Sequence, residues 1–389
     1  MDRVAGFTST GSKRPEALFG SSADAVPARM TRSAGCTVWD SEGREYTDYI
    51  MGLGSVALGY GHPDVSHAVA DAARLGVVGP LPPVLEEELA ADLCRLIPWM
   101  ERVRFLKTGA EAMAASVRLA RVVTGRDDIL GCGYHGWLDW CQTGEGRGVP
   151  AASRALYREL PFNDPEAARA LIRSAGDRLA AVVFEPVILQ APDPAWLAVL
   201  REETLRAGAL LIVDEVKTVC RLAVGGGCER YGIQPDLVVI GKAIANGFPV
   251  AAVGGRMDVM EAVGRTWISS TLATEFVSLA ASRATLAAVV AQEVPAHLTR
   301  VGGRLLAGLE SLAGRHEAVV LRAAGLPEMC HLEYRDEAVS GRVAAACAGR
   351  GLLFKRGAYN FVSLAHDEST IDRTLDILDG TLSAAARSA

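Results

Sequence analysis

The chain has 389 residues, of which 50% are hydrophobic and 22% charged, and its net charge at neutral pH is −6. A chain of this length and composition forms at least two lobes with large cores, which excludes a disordered or fibrous protein. The acidic balance provides no basic surface for nucleic acid or for an anionic membrane. The sequence has neither a signal-type apolar segment near its N-terminus nor an apolar stretch of membrane-spanning length, so we expect a cytoplasmic protein.

The predicted elements begin with a β-hairpin at 37–49 that turns at 41–43. Short apolar runs then alternate with longer amphipathic ones, and the runs typical of strands lie at 128–132, 181–187, 210–213, 236–240 and 250–255. Helices are predicted between them, as at 164–175 and 195–207. Several of these strands are almost continuous aliphatic runs, as burial on both faces requires, so the pattern predicts an α/β fold with a mostly parallel sheet.

The C-terminal residues alternate helices with short strands and predict a smaller α+β lobe, which we expect the N-terminal hairpin to join. The predicted boundaries are therefore an N-terminal segment at 1–58 that joins the small domain, a large domain at 59–290 and a small domain at 291–389. Eight cysteines are scattered along the chain without Cys-x-x-Cys pairs or zinc spacing. They predict reduced thiols and no metal site.

The first candidate site is the helix predicted to follow residue 108. Thr108 and Glu111 form a capping-box pattern, and Gly125 is typical of the residue just beyond the end of a helix. Thr108, Gly109 and Ala110 thus open the helix with free N–H groups, and the helix dipole there favours an anion such as phosphate. Most capped helices bind nothing, so the pattern alone leaves both interpretations open.

Two carboxylates follow predicted strands. Asp214 comes after four aliphatic residues and Glu185 ends the run AVVFE, so both lie at the carboxyl ends of buried strands, where open α/β sheets bind ligands. A carboxylate at that depth needs a partner. A helix N-cap or a structural salt bridge is the alternative interpretation for Asp214.

A lysine and an aromatic pair complete the set of candidates. Lys242 follows a predicted strand and a glycine, and it is one of five lysines among 40 basic residues. Arginine cannot replace a lysine that acts as an amine nucleophile, which favours a functional Lys242 over a solvated lysine on a turn. Tyr134 and His135 follow another strand and offer an aromatic surface to a planar ligand, or else they pack in the core. The combination fits a planar pyridine aldehyde that carries a phosphate.

The chain resembles the class-III pyridoxal-phosphate (PLP) aminotransferases of fold type I, most of all the glutamate-semialdehyde-aminomutase-like branch. The similarity runs over 37–378 and rests on several segments, among them VWDSEGREYTDY, RFLKTGAEAMAASVRLAR, YHGW, FEPV, LLIVDEV, PDLVVIGKAIANGFPVAAVGG and STLATEFVSLAA. It implies a large domain with a seven-stranded type of sheet and a small α+β domain. It also implies that Lys242 forms the internal aldimine and that Asp214 pairs with the protonated pyridine nitrogen. Val216 and Tyr134 would pack on the two faces of the ring.

The resemblance further implies that the turn of Thr108, Gly109 and Ala110 holds the cofactor phosphate. Thr271 matches a threonine that reaches the phosphate of the partner subunit, which implies a homodimer with shared sites. Two residues would lie near the ring: Glu185 and His135.

The sequence departs from the family pattern at several points. Ala110 stands where a hydroxyl residue is usual, and Lys217 stands where glutamine or methionine is usual, beside the cofactor oxygen. The segment after Thr271 reads ATEF instead of the commoner Gly-Asn-Pro type. The loop at 141–155 is shorter than the gating loop of the aminomutase.

These features predict an aminotransferase that moves an amino group from a small-molecule donor to a keto or aldehyde acceptor by a ping-pong mechanism through the Lys242 aldimine. The branch suggests secondary or polysaccharide metabolism. The alternatives are an aminomutase, or racemisation or decarboxylation, on the same scaffold, and more remotely a non-catalytic homologue. Arg356 is a candidate ligand for a substrate carboxylate, with a solvated arginine as the other interpretation.

Overall fold

The computed structural model describes residues 3–20 and 26–387. The chain divides into two compact units, one formed by Met1–His62 with Glu293–Ala389 and the other by Pro63–Gln292. The assignment of 59–290 as a cofactor-binding domain and of 291–389 as a small domain joined by 1–58 remains a prediction.

The elements are as follows in chain order. The strands are β1 Met30–Ala34, β2 Thr37–Asp40, β3 Glu45–Asp48, β4 Arg102–Leu106, β5 Asp128–Cys132, β6 Tyr157–Glu159, β7 Leu179–Phe184, β8 Leu210–Asp214, β9 Leu237–Ile240, β10 Ala251–Gly255, β11 Val320–Leu326, β12 Met329–Tyr334, β13 Leu352–Leu353 and β14 Asn360–Phe361. The helices are α1 Pro15–Phe19, α2 Met51–Gly54, α3 Pro63–Arg74, α4 Val84–Leu96, α5 Gly109–Thr124, α6 Ala151–Arg154, α7 Pro165–Ala175, α8 Pro194–Ala207, α9 Gly226–Tyr231, α10 Met257–Met260, α11 Phe276–Ala291, α12 Val294–Arg315, α13 Glu337–Ala348 and α14 Glu368–Arg387.

The unit Pro63–Gln292 is built on a seven-stranded sheet of order β4-β10-β9-β8-β7-β5-β6. Only β10 runs antiparallel to its neighbours, β4 and β9. The remaining neighbours pair in parallel. Six of the seven strands therefore share one direction, which confirms the predicted α/β class and the mostly parallel sheet.

Both faces of this sheet are covered. Along β7, Val183 packs into a core cluster that includes side chains of α5, whereas Val182 and Phe184 pack into a second cluster with Trp196 of α8. All six residues of β7 are buried. Because successive side chains of a strand point to opposite faces, a strand covered on both sides must be apolar throughout, and this explains the aliphatic runs of the sequence.

The predicted strand at 128–132 is confirmed, while other boundaries differ. The strand predicted at 181–187 ends at Phe184, since Pro186 two residues later has no N–H with which to continue a ladder. Strands β4 and β6 had not been predicted from the sequence. Strand β4 is not recognised in the sequence because two arginines interrupt the apolar run of its residues, RVRFL.

The other unit contains a four-stranded sheet of order β1-β2-β3-β13 and a three-stranded sheet of order β11-β12-β14. The predicted hairpin is confirmed, because β2 and β3 pair antiparallel. Strand β3 also pairs in parallel with β13, so the N-terminal hairpin is completed by a strand from the C-terminal part of the chain. All eight cysteines are free. Over 3–20 and 26–387, no helix is both long and apolar enough to cross a membrane.

Trp196 provides a test of the second core cluster. Its side chain is fully buried and meets the rings of Phe162 and Phe184 at centroid distances of 5.0 and 5.3 Å. We expect Trp196→Ala to cost about 3–5 kcal/mol of stability, because it removes this contact and leaves a cavity. Thermal unfolding measures the effect, and Leu205→Ala on the exposed side of the same helix is the matched control. Equal melting temperatures for the two variants would contradict this role.

Candidate active site

The shared strand direction brings the candidate residues to one edge of the sheet. Thr108 follows the end of β4, His135 follows β5, Glu185 follows β7, Asp214 is the last residue of β8 and Lys242 follows β9. These are the carboxyl ends of strands that run in the same direction. This edge is where open α/β sheets bind ligands.

The turn that opens α5 has the geometry expected from its sequence. The Glu111 N–H donates to the Thr108 Oγ1 at 3.2 Å, and the Thr108 N–H donates to the Glu111 Oε2 at 3.0 Å, which completes the capping box. Gly125 ends the helix in the left-handed conformation with φ of 67°. The box uses the N–H groups of Thr108 and Glu111, while those of Gly109 and Ala110 occupy helix positions that have no intrahelical acceptor. They therefore remain suited to an anion.

Two glycines allow close packing around this turn. A Cβ on Gly109 would lie 3.1 Å from both methyl groups of Val216. A Cβ on Gly136 would lie 2.6 Å from the Cβ of Ala110, so only glycine fits there without a shift. The Val216 side chain also lies 3.6 Å from the position of a Cβ on Gly241, the residue before Lys242. Val216 thus links the opening of α5 to the lysine segment.

Asp214 is held by two donors. Its carboxylate lies 2.8 Å from His135 Nδ1, and it accepts the Val216 N–H at 3.1 Å. Both Asp214 and His135 are 3% exposed, and His135 stacks on Trp140 with a centroid distance of 6.1 Å. The alternative interpretation of Asp214 as a simple helix N-cap is not what the structure shows, since no helix begins at this residue.

Glu185 forms an ion pair that the sequence pattern did not reveal. Its carboxylate accepts a hydrogen bond from Lys217 Nζ at 2.8 Å, and both side chains are buried. Burial raises the pKa of Glu185, the Lys217 ammonium opposes this, and the nearby Asp214 carboxylate raises the pKa further. Ionisation of Glu185 therefore depends on Lys217.

Lys242 lies in a strained and desolvated position. Its backbone φ is 49°, in the left-handed region that non-glycine residues rarely adopt. Burial lowers the pKa of Lys242; the carboxylates of Asp214 and Glu185 oppose this shift, and the cations Lys217 and Arg221 add to it. A lowered pKa leaves a larger fraction of the amine unprotonated near neutral pH, and the unprotonated form is the one that acts as nucleophile and base.

Three other predicted residues lie outside this buried group. The side chain of Tyr134 is 70% exposed. Thr271 is exposed at the start of a short 3₁₀ turn, Thr271–Thr274. Arg356 belongs to the other unit, where its guanidinium donates to Glu337 at 2.9 Å and to the Ala17 carbonyl at 3.3 Å. Arg356 therefore has partners within its own unit.

A second ion pair was not expected from the sequence. Lys107, directly before the capping box, donates to Glu275 at 2.6 Å. Glu275 also accepts the N–H groups of Val277 and Ser278 and caps α11. The pair joins residues 168 positions apart and links the opening of α5 to the segment that carries Thr271. The only feature of the sequence that pointed to this ion pair was the unusual segment ATEF after Thr271, which contains Glu275.

A comparison with protein families identifies the relationship. The model of the family described as aminotransferase class-III matches residues 19–383. The chain belongs to the class-III aminotransferases. It is a PLP-dependent enzyme of this family, which confirms the resemblance, the enzyme class and the cofactor expected from the sequence.

Individual relatives agree with this assignment. A glutamate-1-semialdehyde 2,1-aminomutase of Roseiflexus castenholzii is 36% identical, and the alignment covers 90% of this chain and 88% of that protein. The FumI protein of Sphingopyxis sp. MTA144, solved in its PLP internal aldimine form, superposes with a TM-score of 0.89 at 26% identity and covers 96% and 94% of the two chains. An omega-transaminase from Sphaerobacter thermophilus has a TM-score of 0.85 at 28% identity, with 93% of each chain covered.

The residues present in this class-III aminotransferase fit PLP. The helix opening at Gly109 offers N–H donors for a phosphate, Asp214 offers a carboxylate for a pyridine nitrogen, and Lys242 offers an amine for an aldehyde. The buried His135 Nε2 has no hydrogen-bond partner among the described residues. This atom is thus able to form a hydrogen bond with a polar group of a ligand.

The Lys107–Glu275 pair makes stability depend on pH. Burial by itself raises the pKa of Glu275, but hydrogen bonds from Lys107 and Ser278 outweigh it, and the pKa is lowered below its ordinary value of 4.5. The stabilisation is therefore complete above that value and is lost as the pH falls through the lower, folded-state pKa. We expect Glu275→Gln to cost about 1–2 kcal/mol at pH 7 and less in acid.

Melting temperatures measured between pH 7 and pH 3 test this expectation. Glu261→Gln is the control, since Glu261 is an exposed acid in the same unit. A loss for Glu275→Gln that does not change with pH would show that the charge of Glu275 contributes nothing.

Proposed function

We propose that this chain is an aminotransferase that moves an amino group from a donor to a keto or aldehyde acceptor. The observation that supports it is the convergence, at one edge of the sheet, of the Lys242 amine, the Asp214 carboxylate and the opening of α5. These three features match the three functional groups of PLP. The similarity to an omega-transaminase over 93% of the chain agrees with the proposal.

Each residue has a defined task in this reaction. When bound, PLP supplies an electron sink for the pair of electrons released when a Cα–H bond breaks. Asp214 keeps a proton on the pyridine nitrogen, and His135 holds the Asp214 carboxylate in place for this. Gly109 and Ala110 orient the phosphate through their N–H groups. Lys242, as a free amine, takes the proton from the substrate Cα.

An aminomutase is the second candidate, because the relative that is 36% identical carries that name. Racemisation and decarboxylation need the same lysine and aspartate. The reactions differ in their requirements, since an aminotransferase consumes two substrates whereas an aminomutase rearranges one. A requirement for a second substrate therefore separates them.

The decisive measurement is the absorption spectrum of the PLP-loaded protein before and after excess L-glutamate or L-alanine, together with the amount of keto acid released. We expect the donor to bleach the visible band and to release one keto product per site. An added carbonyl acceptor should restore the band. Lys242→Ala should hold PLP without a covalent link and give no turnover, because no amine remains to move the proton.

The exposed Lys13→Ala is the matched control and should behave as the unaltered protein. A protein that ignores all donors but isomerises glutamate 1-semialdehyde alone would establish the aminomutase. A Lys242→Ala variant with normal activity would refute the role of the lysine.

We also propose that the enzyme is a homodimer. Large apolar side chains are exposed on two segments of the unit that carries Lys242, and we call them the apolar surface: Leu75, Val77, Val78, Leu81, Val84, Trp267 and Leu272. The segments are close to each other, because the Phe276 N–H, near the end of one, donates to the Val77 carbonyl at 2.9 Å. Exposed apolar side chains on neighbouring segments are typical of protein interfaces. Thr271 lies beside it, as a threonine that serves the partner subunit would.

Sedimentation of the purified protein tests the dimer. We expect a dimer mass and a shift towards monomer in the double variant Leu81→Asp/Trp267→Asp, because two charges would be buried without partners. Leu205→Asp, an equally drastic change at an exposed site on α8, should leave the dimer intact. A monomeric unaltered protein would contradict the proposal.

A further inference from the structure

The two acids of the site each have a basic partner other than Lys242. Asp214 is bound to His135 Nδ1 at 2.8 Å, and Glu185 is bound to Lys217 Nζ at 2.8 Å. Such an arrangement satisfies each buried carboxylate separately.

Among the residues that the structure describes, Lys242 has no such partner. Across 3–20 and 26–387, neither the ion pairs nor the hydrogen bonds include its Nζ, although the Asp214 and Glu185 carboxylates act on it electrostatically. A lysine beside two acids would ordinarily pair with one of them and stay protonated. Here the Glu185 carboxylate is instead paired with the ammonium of Lys217.

We propose that Lys217 is a positioning residue whose ammonium retains the Glu185 carboxylate and so leaves the Lys242 amine without a carboxylate partner. The inference rests on the proposed function in one respect, that Lys242 is the reacting amine. An amine tied to a carboxylate can neither attack a carbonyl nor accept a proton until that contact breaks. Lys217 thus keeps Lys242 available without touching the reacting atoms.

The charges around Lys242 come from several elements. The groups that act on it are, from the end of β7, Glu185, and from the end of β8 and the loop after it, Asp214, Lys217 and Arg221. His135, from the loop after β5, acts on the site through the two acids. The Lys217–Glu185 contact can be removed as a neutral pair, by replacing both residues. The double variant therefore shows whether Glu185 must be present for the loss of Lys217 to act on Lys242.

The experiment is competitive labelling of the full-length protein with trace acetic anhydride over a range of pH, with acetylation at each lysine quantified by peptide mass spectrometry. With five lysines in the chain, each labelled peptide is identified directly, and the exposed Lys13 serves as the internal reference. We expect Lys217→Met to raise the proton affinity of Lys242 about tenfold or more, since the Lys217 cation no longer lowers it and the Glu185 carboxylate is released to pair with Lys242. The double variant Lys217→Met/Glu185→Gln should return to the unaltered profile.

Three further variants support the test. Lys217→Arg keeps the positive charge and should leave the Lys242 profile close to that of the unaltered protein. Lys107→Met breaks another Lys–Glu pair in the same unit and should leave Lys242 unchanged. If Lys217→Met fails to fold, Lys217→Gln removes the same charge while keeping a hydrogen-bond donor for Glu185.

The proposal is overturned if loss of the Lys217 charge leaves the Lys242 profile unchanged, or if the double variant retains the raised proton affinity. The labelling requires neither PLP nor turnover, so it gives its answer even if the aminotransferase assignment fails. Conversely, a protein that transaminates normally but whose Lys242 does not respond to Lys217→Met refutes the inference and leaves the function intact. In the PLP-loaded protein, the pH at which the visible band changes should shift upward in Lys217→Met and return in the double variant.

Discussion

A carboxylate removed from water needs a cation or hydrogen-bond donors, and this requirement organises the site. Asp214 and Glu185 are 3% and 8% exposed, and each is bound to a different basic side chain. His135 satisfies the first and Lys217 the second. The site therefore contains an amine, that of Lys242, whose neighbours are already engaged. In our proposal, the reactivity of this amine depends on how the other charges are paired.

The sheet makes this pairing possible. Glu185 and Asp214 come from neighbouring parallel strands, β7 and β8, so their carboxylates leave the sheet at the same edge. Because both faces of these strands are covered by apolar cores, the only polar positions left to them lie at their ends. A reversal of either strand would move its acid to the opposite edge. The direction of the strands thus determines which charges can meet.

The part of the structure encoded in local patterns could be predicted. The capping box of Thr108 depends on residues three apart, and β7 and β8 are recognised because burial on both faces leaves only aliphatic runs. Strand β4 could not be predicted, since its two arginines conceal an otherwise apolar strand. The contact of Lys217 with Glu185 joins residues 32 positions apart, and that of Lys107 with Glu275 joins residues 168 apart. Such pairs depend on which strands become neighbours, and no single segment carries that information.

Lys242 and Asp214 would be needed equally for both candidate reactions. One is the transfer of an amino group between two molecules, and the other is its rearrangement within one molecule. What distinguishes the two reactions is whether the first carbonyl product leaves before the amino group is returned. An aminomutase must retain that product, which requires a cover over the site, whereas an aminotransferase must release it. In this chain the connection between the short turn Asp139–Cys141 and α6 spans only 142–150. A connection of this length next to the loop of His135 is in keeping with our proposal that the carbonyl product is released and the amino group passed to a second substrate.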